Sequence, residues 1–225
     1  MGYRRTPFAP EEWYHCYSRG VDKRTVFEMS RDYDRFVEAL YLSNSRTSLE
    51  RGTFQRLSHG EILQLPRDGS LVAIGAYCLM PNHFHLLIKE TQEGGITKFM
   101  HRLGTSYTMY FNISRKRVGN LFVKPFRSKH VSDDRYAQRV TQYINLNPVE
   151  LFEPEWKTGK MRNKQSLQKK LREYRYSSFI DYAGEKRVEQ SILDQEAMNL
   201  LGDNKILIEN LLEETAAYYA ELSDA

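Results

Sequence analysis

Cysteine is scarce in this 225-residue chain: there are two, Cys16 and Cys78, in neither a C-x-x-C nor a zinc-binding spacing. Reduced, buried thiols are the expectation, and redox chemistry is not indicated. No run approaches the ~20 apolar residues that a spanning helix needs, and the opening MGYRRTPFAPEEW lacks the apolar centre of a signal peptide. These absences point to a cytoplasmic protein with no membrane partner. No internal repeat stands out. What is present, 40% hydrophobic and 12% aromatic residues, suffices for the core of one α/β domain with an appendage.

A strong excess of one charge is also missing from the total, which is only +4, but the two signs are unevenly placed. From Lys186 onward three basic residues face nine acidic ones, a net of −6, so the preceding 185 residues hold 30 basic and 20 acidic, a net of +10. Between Trp156 and Arg175 eight basic residues stand against Glu173 alone. A basic body in a chain with 15 tyrosines and 11 phenylalanines suits a polyanion whose bases stack on aromatic rings. On charge alone, an ordinary solvated surface is the better explanation.

The stretch EWYHCYSR, residues 12–19, alternates as a strand does, and Gly20 with Asp22 supplies the turn that ends it. From Ser30, read as an N-cap, Tyr33, Phe36, Val37 and Leu40 fall near one helical stripe. Residues 45–70 are polar and basic with Gly52, Gly60, Pro66 and Gly69, an excursion over the surface with a short helix near Glu61 to Leu65. LVAIGAYCLM, residues 71–80, is apolar throughout, as a strand buried on both faces is, and Pro81 with Asn82 turns the chain into a returning strand, HFHLLIKE. Ile96, Phe99, Met100, Leu103, Tyr107 and Phe111 then step by three and four along a helix. LFVKPFRSKHV, residues 121–131, reads as an edge strand because Pro125 cannot donate within a ladder. Ser132 is the expected cap of a further helix, DDRYAQRVTQYINLN, which Pro148 should end near Asn147. The order strand, helix, strand, strand, helix, strand, helix predicts an α+β fold: a ferredoxin-like split β-α-β antiparallel sheet with one added helix. Residues 189–201 and 203–222 read as two acidic helices that extend it.

Chemistry enters through CLMPNHFHLLIKE, where His83 and His85 project to one side of a strand while Phe84 points to the other. Two adjacent imidazoles suit a divalent cation with an incomplete shell. A half-exposed strand with histidines toward solvent explains an H-x-H equally simply, and is preferred if nothing else bears on it. In QYINLNPV, Tyr143 and Asn147 lie four residues apart, on one helical face. If that face looks at the histidines, Asn147 completes a His, His, Asn ligand set with Tyr143 beside it. Otherwise Tyr143 packs and Asn147 merely ends the helix.

YCLMPNHFHLL, followed by GNLFVKPFRSKHV and YINLNPVE, resembles the REP-associated tyrosine transposases and related single-tyrosine transposases of the HUH endonuclease superfamily. The resemblance runs from YHCYSRG through the later YRYSSFIDYAG, so residues 8–184 are expected to form the catalytic domain, with an insertion near 45–70 and a basic segment at 157–175. Residues 185–225 are then an acidic helical extension. The likeness implies a DNA-nicking and joining enzyme acting on single-stranded DNA with hairpin structure. His83 and His85 are its metal ligands, Asn147 the third ligand and Tyr143 the nucleophile, with Mg²⁺ or Mn²⁺ and no nucleotide cofactor. It further implies a bacterial protein that sits at the nucleoid when bound to DNA, as a monomer or homodimer.

DNA contacts are expected from Arg115, Lys116, Arg117, Lys124, Arg127 and Lys129, and from Lys164, Lys169, Lys170 and Arg172 in the basic segment. For any single lysine a solvated loop is the plainer explanation. Tyr136, seven residues before Tyr143, is the rival nucleophile but has no asparagine one turn later. Two other functions compete: a DNA-hairpin-binding regulator without catalysis, and a metal-dependent nuclease that uses water in place of tyrosine.

Overall fold

The structure, a computed structural model, describes residues 7–48, 51–156 and 163–201. Strand β1 (Trp13–Arg19) passes through a 3₁₀ turn (Val21–Lys23) into helix α1 (Ser30–Ser43). Short helices α2 (Arg51–Phe54) and α3 (His59–Ile62) punctuate the excursion before the hairpin of β2 (Val72–Met80) and β3 (His83–Glu90). Helix α4 (Gly95–Ser114), strand β4 (Arg127–Val131) and helix α5 (Asp134–Leu146) follow. The strands lie in the order β2-β3-β1-β4 with every pair antiparallel, which is the ferredoxin-like sheet expected from the element order.

The period of two along each strand divides the core between the sheet faces. Cys16, Leu79, Phe84, Leu86 and Ile88 meet Phe36 and Leu40 of α1 and Phe99, Leu103 and Tyr107 of α4 on one face. On the other, Trp13, Cys78, Leu87 and Val131 pack under Val140, Tyr143 and Ile144 of α5. Phe84 is thus in the core opposite the histidines that flank it. Both cysteines are free and buried.

Three local expectations shift. The cap of α1 is Met29 rather than Ser30, and the helix start is closed by the Asp32 carboxylate, which accepts from the backbone N–H of Glu28 at 2.9 Å and of Met29 at 3.1 Å. The cap of α5 is Asp133 rather than Ser132, its side chain accepting from the Tyr136 N–H at 2.8 Å. In both places a carboxylate, the stronger acceptor, does the capping. The last strand begins at Arg127, so the chain around Pro125 precedes the ladder instead of forming its edge.

After α5 come α6 (Val149–Phe152), α7 (Lys164–Glu173) and α8 (Phe179–Tyr182), gathered around Leu146, Trp156, Leu167 and Leu171. The segment between α7 and α8 covers the outer edge of β2: Leu79 N–H donates to Tyr176 O, and Ser178 N–H to Tyr77 O, each at 2.9 Å. A 3₁₀ turn (Val188–Ile192) and α9 (Gln195–Leu201) continue along it, with Ile192 and Leu193 in the first core and Ala197 in the second. The second acidic helix, expected at 203–222, lies outside the described residues. Among the described residues no helix is long and apolar enough to cross a membrane.

Candidate functional site

The histidine pair is displayed by register. In the β1–β3 ladder Tyr17 faces His85 and Arg19 faces His83, so the end of β1 and the start of β3 build one wall from alternate residues. The turn beyond β1 is held against the hairpin turn by the Gly20 N–H, which donates to Asn82 O at 2.8 Å. Only glycine fits there, because a Cβ at position 20 would meet the Arg24 carbonyl oxygen at 2.4 Å. Between these turns and the chain at 123–127 opens a groove of about 430 Å³, lined by Tyr17, Arg19, Lys23, His83, His85, Arg127 and Glu150 among others.

Each histidine has its Nδ1 engaged by a neighbour: His83 with Asn82 Oδ1 at 2.6 Å, and His85 with His15 Nε2 at 2.8 Å. The remaining ring nitrogen of each is Nε2, the atom that a cation would take, and a ligand histidine held through its other nitrogen is the arrangement that fixes ring orientation. The two rings are 5.0 Å apart and perpendicular. Helix α5 lays Tyr143 against His85, edge-on with ring centroids 5.5 Å apart, and also 5.5 Å from His15. Asn147, at the C-terminal cap of α5, donates its Nδ2 to the Tyr143 carbonyl at 2.9 Å, and both side chains are buried. Two imidazoles and one amide oxygen fit a divalent cation as a donor set. Among the described residues, no group of three His, Cys, Asp or Glu is placed to hold one.

His15 lies wholly inside the protein. Burial, with Lys129 pushing the same way, drives its imidazole down to about 3, so it is neutral across the physiological range. Tyr136 sits elsewhere: it lines a shallow depression with Ser132, Asp133, Arg135 and Arg139 at the start of α5, and the Lys129 ammonium lies 5.6 Å from its ring centre.

Of the expected DNA contacts, Arg127 reaches the groove, Lys116 and Lys124 are exposed, and Lys129 is half-buried. Arg115 is held by Asp32 and Glu28, and Arg117 folds back on Asn112 and the Asn120 carbonyl. Lys169 pairs with Glu173 at 3.8 Å, Arg172 with Glu185 at 2.9 Å, and Lys170 lies over Phe152. The side chain of Lys164 lies outside the described residues. Arg19, Lys23 and Glu150 join the groove without having been expected there from the sequence. The adjacency of Arg19 and Lys23 to the Gly20 turn is a signal that could have found them, whereas Glu150 follows Pro148 with nothing to mark it.

No curated protein matches this chain. A solved structure of a REP-associated tyrosine transposase bound to a REP hairpin is similar to it, with a TM-score of 0.48 and 13% identity over 84% of this chain and 90% of that one. The chain resembles the IS200-like transposases, whose family model matches residues 42–147, the span that holds both groove histidines, Tyr143 and Asn147.

Proposed function

We propose that this chain nicks and rejoins single-stranded DNA by transesterification at Tyr143. The observation that carries the reading is the placement of Tyr143 edge-on to His85, one helical turn before Asn147, beside a groove edged by Arg19, Lys23 and Arg127. The Tyr143 hydroxyl oxygen attacks phosphorus in line, the bond to the 3′ oxygen breaks, and that oxygen leaves as a 3′-hydroxyl with a 5′-phosphotyrosine link behind it. The ester bond is exchanged, not hydrolysed, so rejoining needs no nucleotide cofactor. The groove arginines and lysine hold the phosphates on either side. His83 and His85, through Nε2, and Asn147, through its amide oxygen, are the residues to hold Mg²⁺ or Mn²⁺. A bound divalent ion neutralises charge that develops on the scissile phosphate. The resemblance to the REP-associated branch makes hairpin-bearing DNA the substrate to try first.

One observation favours a second reading, that of a DNA-hairpin-binding regulator. Tyr143 is only 4% exposed and does not line the groove. The two readings part on a single assay: incubate the protein with Mn²⁺ and end-labelled single strands carrying hairpins from the DNA flanking its gene, then denature. A labelled protein band that disappears in Tyr143→Phe supports transesterification. Specific hairpin binding without any covalent band supports the regulator, and cleavage without a band supports hydrolysis by water.

A further inference from the structure

We infer that His15 is a positioning residue that sets the ring proton of His85 on Nδ1, keeping Nε2 as the lone-pair nitrogen of that histidine. The inference rests on the reading that His83 and His85 hold a cation. His15 lies on β1, before the span matched by the family model. It has no exposure to solvent, whereas the groove side chains Arg19 and Lys23 are exposed, so its part is played through its neighbours.

The contact between His15 Nε2 and His85 Nδ1 is 2.8 Å, a full hydrogen bond between two imidazoles. One nitrogen must donate and the other accept, which leaves two arrangements. If His15 donates, His85 carries its own proton on Nε2, and that nitrogen has no lone pair for a cation. If His15 accepts, the His85 proton is on Nδ1 and Nε2 is a donor atom. His83 offers an internal comparison. Its Nδ1 meets Asn82 Oδ1 at 2.6 Å, and a carbonyl oxygen can only accept, so the His83 proton is on Nδ1. With His15 as acceptor, the two groove histidines present the same tautomer. The same ring stands 5.5 Å from Tyr143 at a 70° tilt, so one buried side chain braces both a ligand and the nucleophile. Packing alone gives no reason for an imidazole at such a position, since a buried polar ring without partners is costly.

The test uses the whole chain with Mn²⁺ alone as probe. In metal-free protein, long-range ¹H–¹⁵N spectra of the imidazoles should show the His85 proton on Nδ1, and a proton on Nε2 overturns the inference. His15→Leu should weaken Mn²⁺ binding about 10- to 100-fold by calorimetry, the usual consequence of removing the partner of a ligand histidine. His15→Gln, whose amide oxygen can accept from His85, should restore it. Unchanged affinity in a folded His15→Leu overturns the inference, as does failure of His15→Gln to recover it. If His85→Ala binds Mn²⁺ as the wild type does, the metal reading itself falls, and the ring-proton position still decides what His15 does. The wild-type spectra decide equally if His15→Leu does not fold.

Discussion

The Arg115 guanidinium closes on the Asp32 carboxylate at 2.5 Å, tying the C-terminal end of α4 to the N-terminal end of α1. Asp32 is fully buried and also accepts from the Tyr110 hydroxyl at 2.8 Å. Burial pushes its carboxyl up, but the donors from Glu28, Tyr110, Met29 and Arg115 outweigh that and hold it below the ordinary aspartate value. Removing the cation while leaving the buried acid in place is expensive, so Arg115→Gln should lower unfolding stability by about 3 kcal/mol, read by urea denaturation at neutral pH. The Asp32 contribution is present above pH ~4 and fades as the pH falls through its depressed folded value.

A second prediction concerns alkaline pH. His59 of α3 lies 3.3 Å from Glu38 of α1 and 3.6 Å from Glu189 in the 3₁₀ turn before α9. Glu189, then Glu38, raise its imidazole to about 9 against the cost of burial. A group whose affinity for the proton rises on folding stabilises fully below its unfolded value near 6.5, and that contribution is lost as the pH climbs through 9. Melting temperature should therefore fall across that window by an amount equivalent to roughly 2 kcal/mol, screening allowed for. His59→Gln should flatten the slope. The partner Glu189, held down to about 2 chiefly by the His59 imidazole 3.6 Å away, sets a matching loss below pH ~4.

The strength of the local patterns explains why so much of this fold is legible in the sequence. The stripe from Ile96 to Phe111 and the apolar run before Pro81 each specify one element, and alternation alone puts His83 and His85 on one face. Long-range register is invisible to such patterns. Nothing in WYHCYSR says that His15 will touch His85, because the contact depends on how β1 and β3 align. The same blindness applies to Arg115, whose charge reads as open to DNA in the sequence, yet the packing of α1 on α4 brings Asp32 and Glu28 to it. Arg117 is taken locally, by Asn112 and the Asn120 carbonyl beside the turn after α4.

Groove cations should contact phosphate where those two arginines do not. Arg19, Lys23 and Arg127 line the wall with the histidines, the first from the end of β1, the second from the 3₁₀ turn that follows it and the third from the start of β4. Replacing any one with alanine should weaken binding of single-stranded DNA across all sequences. The slope of log affinity against log salt should shrink by about 0.7 for each phosphate that the variant no longer neutralises. Fluorescence anisotropy over a salt series gives the slope. A fall in affinity with no change in slope would mean the residue shapes the groove instead of meeting phosphate.

The choice between the two tyrosines of α5 follows from helix geometry. Seven residues bring Tyr136 and Tyr143 back to nearly the same face but about 10 Å apart along the axis. That distance separates a ring against His85 from a ring over the depression at Ser132–Arg139, where Lys129 lies beside it. A nucleophile at Tyr136 would attack a phosphate well away from the histidine groove. Tyr136→Phe should therefore keep the covalent DNA adduct at wild-type yield while Tyr143→Phe abolishes it, each variant keeping its circular dichroism spectrum. The reverse pattern would move the chemistry to the start of α5 and leave the histidine groove as a binding surface.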